Sequence, residues 1–287
     1  MATHGSRPVR SRMRPGAIGL WLAMLLVGLG GSPPPEKGSG CAGRQDAEAD
    51  AKRGLEQDAS PVDERATRHP AFAERTEERE HMVADQIEAR EVHDPNVLRA
   101  MRVVPRHAFI PESQRPYAYE DRALPIGQDQ TISQPYIVAL MTETLALEPN
   151  SVVLEIGTGS GYQAAVCAEI AREVYSVEII ESLVASAAQT LSKLGYVDVH
   201  VKAGDGYFGW SEKGPFDAII GTAAARDVPA PLIQQLKPRG RMILPVDSEF
   251  GFQHLILVTK DPQGQLHYKK ILPVRFVPMT GRIQQPQ

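Results

Sequence analysis

The stretch Ser151-Val-Val-Leu-Glu-Ile-Gly-Thr-Gly-Ser-Gly-Tyr162 constrains the fold more than any other part of the chain. Val152, Val153, Leu154 and Ile156 make the short apolar run that a strand buried on both faces requires. Gly157, Gly159 and Gly161 follow at once, and Gln163 to Arg172 then reads as a helix. Strand, glycine turn and helix open a nucleotide-binding βαβ unit. Glycine lets the backbone turn tightly against a ligand, and the helix start offers free N–H groups. A dinucleotide fingerprint needs a third glycine where Tyr162 stands, which argues against an oxidoreductase of that kind. Glu155 precedes the glycines, and Glu178 closes the next apolar run, Val174-Tyr-Ser-Val-Glu178. A carboxylate at the end of a second strand is placed to accept from a ribose hydroxyl pair.

Around this unit the periodicities alternate. Glu74 to Arg90 carries Met82, Val83 and Ile87 on one helical face. Asp94-Pro95 is a cap followed by a first-turn proline, and the short helix it opens buries Val97, Leu98 and Met101. Residues 104–111 and 117–124 show neither period and are expected to wrap the core as ordered loops; residues 128–136 read as a polar loop. A helix from Ile137 to Leu147 leads into the glycine strand. After Glu178 come a helix over 182–194 ended by Gly195, a strand over 197–201, a strand over 216–221 and a helix over 229–236. Pro238-Arg-Gly240 turns into a strand over 241–246, and strands over 253–259 and 268–277 flank the turn Asp261-Pro-Gln-Gly264. The pattern predicts an α/β, Rossmann-like doubly wound sheet of seven mostly parallel strands. It should have an antiparallel edge, both faces covered, and an N-terminal cap of helix and loop.

Residues 1–31 stand apart from that domain. Arg7, Arg10, Arg12 and Arg14 precede an apolar segment from Ala17 to Gly31, and no acidic residue occurs before Glu36. A basic start before about 15 apolar residues is the layout of a secretory signal, and a spanning helix needs roughly 20. A cleaved signal, an uncleaved anchor and a mis-assigned start all stay open. From Ser32 to Pro70 the only large aliphatics are Leu55 and Val62, too little apolar surface to fold, so this stretch reads as a tether. The expected organisation is a leader over 1–31, a linker over 32–72 and one catalytic domain over 73–287. The 42% of hydrophobic residues suffices for that domain's core, and the net charge of −4 gives no general affinity for nucleic acid or anionic membrane. Cys41 lies in the linker and Cys167 in a helix, so no structural disulfide is expected.

In a doubly wound sheet the ligand binds beyond the carboxyl ends of the strands. The glycine turn, Glu178, Asp205-Gly206 and Gly221-Thr222 converge there, with Asp205 suited to an adenine amino group. The spacing resembles the S-adenosylmethionine site of Rossmann-like methyltransferases. Five segments carry a closer resemblance. They are Val104-Pro-Arg-His-Ala-Phe-Ile-Pro111, Gln130-Thr-Ile-Ser-Gln-Pro-Tyr136, Val153 to Gln163, Gly204-Asp-Gly206 and Leu236-Lys-Pro-Arg-Gly-Arg-Met-Ile-Leu-Pro245. Over about residues 76–282 the chain is similar to the protein-L-isoaspartate O-methyltransferases, with Arg239 where glycine is usual and no family counterpart for the first 70 residues.

That resemblance implies transfer of the methyl group of S-adenosylmethionine to the free α-carboxylate of L-isoaspartyl residues in damaged proteins, with D-aspartyl residues left open. The ester then cyclises to a succinimide. It implies Ser133 as the active-site residue. Cofactor contacts fall on Thr131, Ile132, Glu155, Gly157, Thr158, Gly159, Gly161, Glu178, Ile179, Asp205 and Gly206, and substrate contacts on Thr131, Ser133, Pro135 and Thr280. No metal is implied, damaged proteins and peptides are the partners, and a monomer is expected. The family is ordinarily cytoplasmic, whereas the leader suggests the periplasm or a tether at the cell envelope, membrane contact being confined to the N-terminal apolar segment.

The residues suit this chemistry. A carboxylate with a reference pKa near 3.5 is ionised at neutral pH, so positioning replaces a general base. A hydroxyl such as that of Ser133 can hold one carboxylate oxygen without the ion pair that would blunt the nucleophile. A second role for Ser133, capping the helix that Pro135 opens, stays open. Cys167 among alanines reads as a buried small residue, His107 and His254 as structural or exposed, and Trp210 as packing. Gly221-Thr-Ala-Ala-Ala225 stands where nucleic-acid amino-methylases carry an Asn/Asp-Pro-Pro-aromatic run, which argues against nucleic acid. A methyltransferase of another carboxylate or small molecule is the competing activity, and a cofactor-binding scaffold without turnover a third reading.

Overall fold

The computed structural model describes residues 69–248 and 251–282. The basic leader, Cys41 and the expected linker up to residue 68 lie outside them; the linker's expected end at residue 72 is corrected, because Pro70–Phe72 form a 3-10 turn that buries Ala71 and Phe72 in the core. A cap precedes the sheet: α1 (Thr76–His81), continued by a wide-turned π segment and a 3-10 turn to Arg90, and α2 (Pro95–Val103). Asp94 caps α2 as expected, accepting from the N–H of Asn96 at 2.8 Å and of Val97 at 3.2 Å. Residues 104–111 and 117–124 are less irregular than expected, with 3-10 turns at Arg106–Phe109 and Glu112–Tyr117.

The polar loop expected over 128–136 is corrected more substantially. β1 (Leu124–Gly127) and β2 (Gln130–Ile132) form a two-stranded antiparallel hairpin, and α3 (Pro135–Leu145) begins directly after it. The rest follows the expected alternation. In order come β3 (Val152–Ile156), α4 (Tyr162–Ala168), β4 (Glu173–Glu178), α5 (Glu181–Lys193), β5 (Val199–Ala203), β6 (Phe216–Gly221), α6 (Ala230–Gln235), β7 (Leu236–Asp247), β8 (Gln253–Lys260) and β9 (Leu266–Val274). The helix after the glycines ends at Ala168, short of Arg172. β7 starts at Leu236 and carries Pro238-Arg239-Gly240 as a bulge against β6.

The seven strands lie in the order β5-β4-β3-β6-β7-β8-β9. β5 to β7 through β3 are parallel, and β8 and β9 add an antiparallel edge. Every residue of β3 is buried, as its four large aliphatics lead one to expect, and Glu155 is buried with them. Val153, Val174 and Ile220 face one core layer with the cap, α3 and α4, while Leu154, Val177 and Ile219 face the other. The chain leaves β3 in one direction to β4 and β5 and in the other to β6 and β7. That reversal makes the carboxyl ends of β3 and β6 the topological switch point.

Two arginines hold the cap without a carboxylate. Arg79 is 1% exposed and gives Nε to the carbonyl of Arg102 at 2.8 Å, Nη1 to Glu74 at 2.6 Å and Nη2 to Phe72 at 2.5 Å. Arg106 is fully buried, gives Nε to the Ala118 carbonyl at 2.8 Å, and lies 5.0 Å from the centroid of the Tyr162 ring. Burial lowers its pKa to about 10, so it keeps its charge at neutral pH. Through that ring the cap bears directly on the helix that follows the glycine turn.

Candidate active site

The glycine turn crosses the ends of three strands. Gly157 N donates to the Val177 carbonyl at 2.8 Å and Thr222 N to the Ile156 carbonyl at 2.9 Å. The Thr222 hydroxyl donates to the Gly157 carbonyl at 2.5 Å. Gly157 has φ +94°, and a Cβ there would stand 2.6 Å from that hydroxyl, so both backbone and space require glycine. Gly206 is seated as closely, since a Cβ on it would lie 2.4 Å from Ile156 Cγ2. A cleft opens above, lined by Gly157, Gly159, Glu178, Ile179, Gly206 and Thr280 among others. Glu178 accepts from Gly159 N at 2.9 Å and Ile180 N at 3.0 Å, which fixes the carboxylate in the cleft wall.

Residues 277–280 form the cleft's other side. Ala224 N donates to the Val277 carbonyl at 2.8 Å and Met279 N to the Ala224 carbonyl at 2.7 Å. Gln253 secures the approach to this segment by accepting from Phe276 N at 2.6 Å. Nothing in the sequence marks this strap beyond Thr280, which lines the cofactor cleft and not the neighbouring groove where substrate contacts were expected.

That neighbouring groove meets the cleft at Thr131 and Thr222, which line both, and holds Ser133, Arg90, Arg275 and Phe276. The β1–β2 hairpin delivers Ser133 to this junction, and Asp121 fixes the turn into α3. Its carboxylate accepts from Gln134 Nε2 and Arg90 Nη1, both at 2.6 Å, and from Tyr136 N at 3.2 Å. Ser133 itself is half-buried. Gln134 occupies the cap position of α3 and makes no side-chain capping bond, so Ser133 does not cap that helix. Among the described residues its hydroxyl has no hydrogen-bond partner.

A small cavity links Ser133 to Glu155 and the glycine turn, and its lining includes Ile132, Thr158 and Tyr162. Glu155 is fully buried beneath it. Its Oε2 accepts from the Ser176 hydroxyl, which in turn lies 2.5 Å from Thr158 Oγ1, and its Oε1 has no hydrogen-bond partner.

Three expected site residues fall elsewhere. Gly161 caps α4 at φ +88° and packs on Leu191. Pro135 is buried in the first turn of α3 and lines neither cavity. Asp205 stays out of the cleft lining, because its carboxylate accepts from Tyr207 N at 2.9 Å and from Arg282 N at 2.7 Å. The bland readings of the other candidates agree with the structure. Cys167 is buried, which pushes its thiol up to about 12. His107 bonds Tyr119 and Glu74, and Trp210 packs edge-on against Tyr175 at 5.4 Å.

These residues fit S-adenosylmethionine. A glycine turn too close for any Cβ, an acceptor-only carboxylate in the wall, and Gly206 against the strand end are the features that close approach and recognition of a ribose diol require. Among the described residues no group of three His, Cys, Asp or Glu is placed to hold a metal ion.

Comparison with known proteins agrees with this geometry. The family described as protein-L-isoaspartate(D-aspartate) O-methyltransferase matches residues 77–284. A protein-L-isoaspartate O-methyltransferase of Syntrophobacter fumaroxidans is 59% identical over 188 residues, covering 66% of this chain and 76% of its own length. One of Opitutus terrae is 56% identical over 215 residues, covering 75% of this chain and 92% of its own. A solved protein-L-isoaspartate O-methyltransferase superposes with a TM-score of 0.65 at 32% identity, covering 71% of this chain and 67% of that one. The chain belongs to the protein-L-isoaspartate(D-aspartate) O-methyltransferase family.

Proposed function

We propose that this chain methylates the free α-carboxylate of L-isoaspartyl residues in damaged proteins, with Ser133 holding that carboxylate. The protein is an S-adenosylmethionine-dependent repair methyltransferase. The observation that carries the role of Ser133 is its place, a partnerless hydroxyl where the peptide groove meets the cofactor cleft.

When bound, the cofactor supplies a methyl group on a sulfonium, an electrophile needing no further activation. The chain supplies position. Gly157, Gly159, Glu178 and Gly206 hold the nucleoside part, and Ser133 donates to one oxygen of the incoming carboxylate. The residues lining the cavity between them include no Lys, Arg or His. The nucleophile therefore keeps its charge free of an ion pair and sheds part of its water there, while alignment contributes up to about 7–11 kcal/mol. Arg90 and Arg275 stand further out in the groove, where they can meet the peptide without touching the reacting oxygen. Labelled methyl released as volatile methanol after mild base identifies the ester. A label stable to base would mean a different acceptor.

Glu178 gives a graded test of the cofactor reading. Glu178→Gln keeps the shape but turns one acceptor into a donor, facing N–H groups of Gly159 or Ile180. Cofactor affinity should fall by about 1–2 kcal/mol, roughly five- to thirtyfold. Unchanged affinity by calorimetry in a folded variant would remove Glu178 from the site.

The leader belongs to the same proposal. Four arginines before an apolar run suit export or anchoring at the envelope, with residues 32–68 as the tether to the catalytic domain. Among the described residues no helix is long and apolar enough to cross a membrane. Fractionation of cells carrying a tag after Gln287 should place the protein in the periplasm or with membranes. An intact full-length species confined to the soluble cytoplasm would contradict this.

A further inference from the structure

We propose that Glu155 is held as a neutral acid in the free enzyme and ionises when S-adenosylmethionine is seated, so that cofactor binding expels a proton to solvent. This rests on reading the cleft as the cofactor site and adds to it a second partner, the proton.

The geometry comes first. Glu155, the penultimate residue of β3, lies beneath the glycine turn with none of its surface in contact with water. The Ser176 hydroxyl donates to its Oε2, the Ala164 N–H also faces the carboxyl, and its Oε1 has no hydrogen-bond partner. A buried carboxylate usually has a cation or several N–H groups, because stripping it of water costs several kcal/mol otherwise. Here the cavity above it is lined by glycine, hydroxyl and apolar groups and by Gln163, without Lys, Arg or His.

The titratable neighbours do not compensate. On β4 the Glu178 carboxylate is a like charge. On α4, Cys167 and Tyr162 are both held neutral by burial, and the Arg106 guanidinium is engaged with the Tyr162 ring and the Ala118 carbonyl. Burial pushes the Glu155 carboxyl up to about 8, with the Ser176 hydroxyl opposing, Glu178 adding and the Ala164 N–H opposing. The acid can lend its proton along the Ser176–Thr158 hydroxyl pair, where Thr158 Oγ1 lies 2.5 Å from Ser176 Oγ.

A ligand with a sulfonium and an ammonium reverses the balance. It brings positive charge into a low-dielectric site whose buried acid has an open oxygen, so the ionised form becomes the favoured one. The free enzyme thus avoids a naked buried charge, and the loaded enzyme gains a counter-charge. A group protonated in one state and ionised in the other makes affinity depend on pH. Binding should strengthen as pH rises toward 8, and the Kd should rise about tenfold for each unit of pH below 7.

Isothermal calorimetry of S-adenosylmethionine binding, in two buffers of different ionisation enthalpy, counts the protons. For a group titrating near 8 the wild type should release about 0.9 proton at pH 7 and about 0.1 at pH 9. Glu155→Gln should release about 0.9 fewer at pH 7, a difference that cancels any proton exchanged by the ligand's own amine. Binding with the same proton count in wild type and variant would overturn the proposal and leave the cofactor site standing. If the variant does not fold, a wild-type count that stays flat between pH 7 and pH 9 overturns it equally. No binding isotherm at all would take down the cofactor site and the proposal together.

Discussion

Ser133→Ala should lower kcat for an isoaspartyl peptide about 10- to 150-fold, the loss of roughly 1.5–3 kcal/mol expected for one hydrogen bond to a charged group. Cofactor affinity should stay nearly unchanged, because Ser133 lies outside the cleft that Gly157, Glu178 and Gly206 line. Stability should also hold. The hydroxyl makes no internal hydrogen bond, and the cap position of α3 belongs to Gln134. Were the hydroxyl a helix cap, the variant would instead lose about 1 kcal/mol of stability and keep its turnover. Steady-state kinetics beside a denaturant titration separates the two. Full turnover in the variant would remove Ser133 from the reaction.

Arg79→Met carries the largest expected effect on stability. Methionine keeps an unbranched apolar stem but leaves the carbonyls of Phe72, Glu74 and Arg102 without their donor. Each buried carbonyl left without its donor costs about 1–3 kcal/mol, so the loss over the three should be about 3–5 kcal/mol. The guanidinium ties the segment before α1 to the end of α2, so the cap should loosen as a unit. The urea midpoint should fall at nearly constant m-value. A midpoint within about 0.5 kcal/mol of wild type, the range of an ordinary surface change, would show that those carbonyls find water instead.

The sheet was legible because buried parallel strands spell themselves out. Val152 to Ile156, Val174 to Glu178 and Phe216 to Gly221 are short, mostly apolar runs bounded by turns or helices, and no tertiary information is needed to see them. The β1–β2 hairpin was hidden for a local reason. Its strands are four and three residues long, one contains Pro125, and its two-residue tip is Gln128-Asp129. Both tip residues take positive φ, +55° and +57°, where Asn-Gly would have announced the turn.

Residues placed by distant contacts were the least readable. Asp205 follows β5 at the place where an adenine ligand is expected, yet Arg282, 77 positions away, occupies its carboxylate. Residues 277–280 join the cleft through a single isolated bridge, Pro278 beside Ala224, rather than a full ladder, and so lack a strand signature. Glu155 could be named from the sequence, whereas its missing partner is a property of the packed core. By contrast the need for glycine at 157 and 206 was readable, although the atoms that impose it, Thr222 Oγ1 and Ile156 Cγ2, come from the packed strand ends.

The central claim is that the carboxylate presented at Ser133 is the α-carboxylate of an isoaspartyl residue. A pair of peptides differing only in whether one residue is isoaspartyl or aspartyl tests it most directly, with methyl-labelled S-adenosylmethionine and mass spectrometry of the products. The account predicts a single methyl ester on the isoaspartyl peptide, decaying through the succinimide to a mixture that includes the aspartyl form, and no label on its partner. Equal labelling of both peptides, or label on neither while a small carboxylate is methylated, would contradict it.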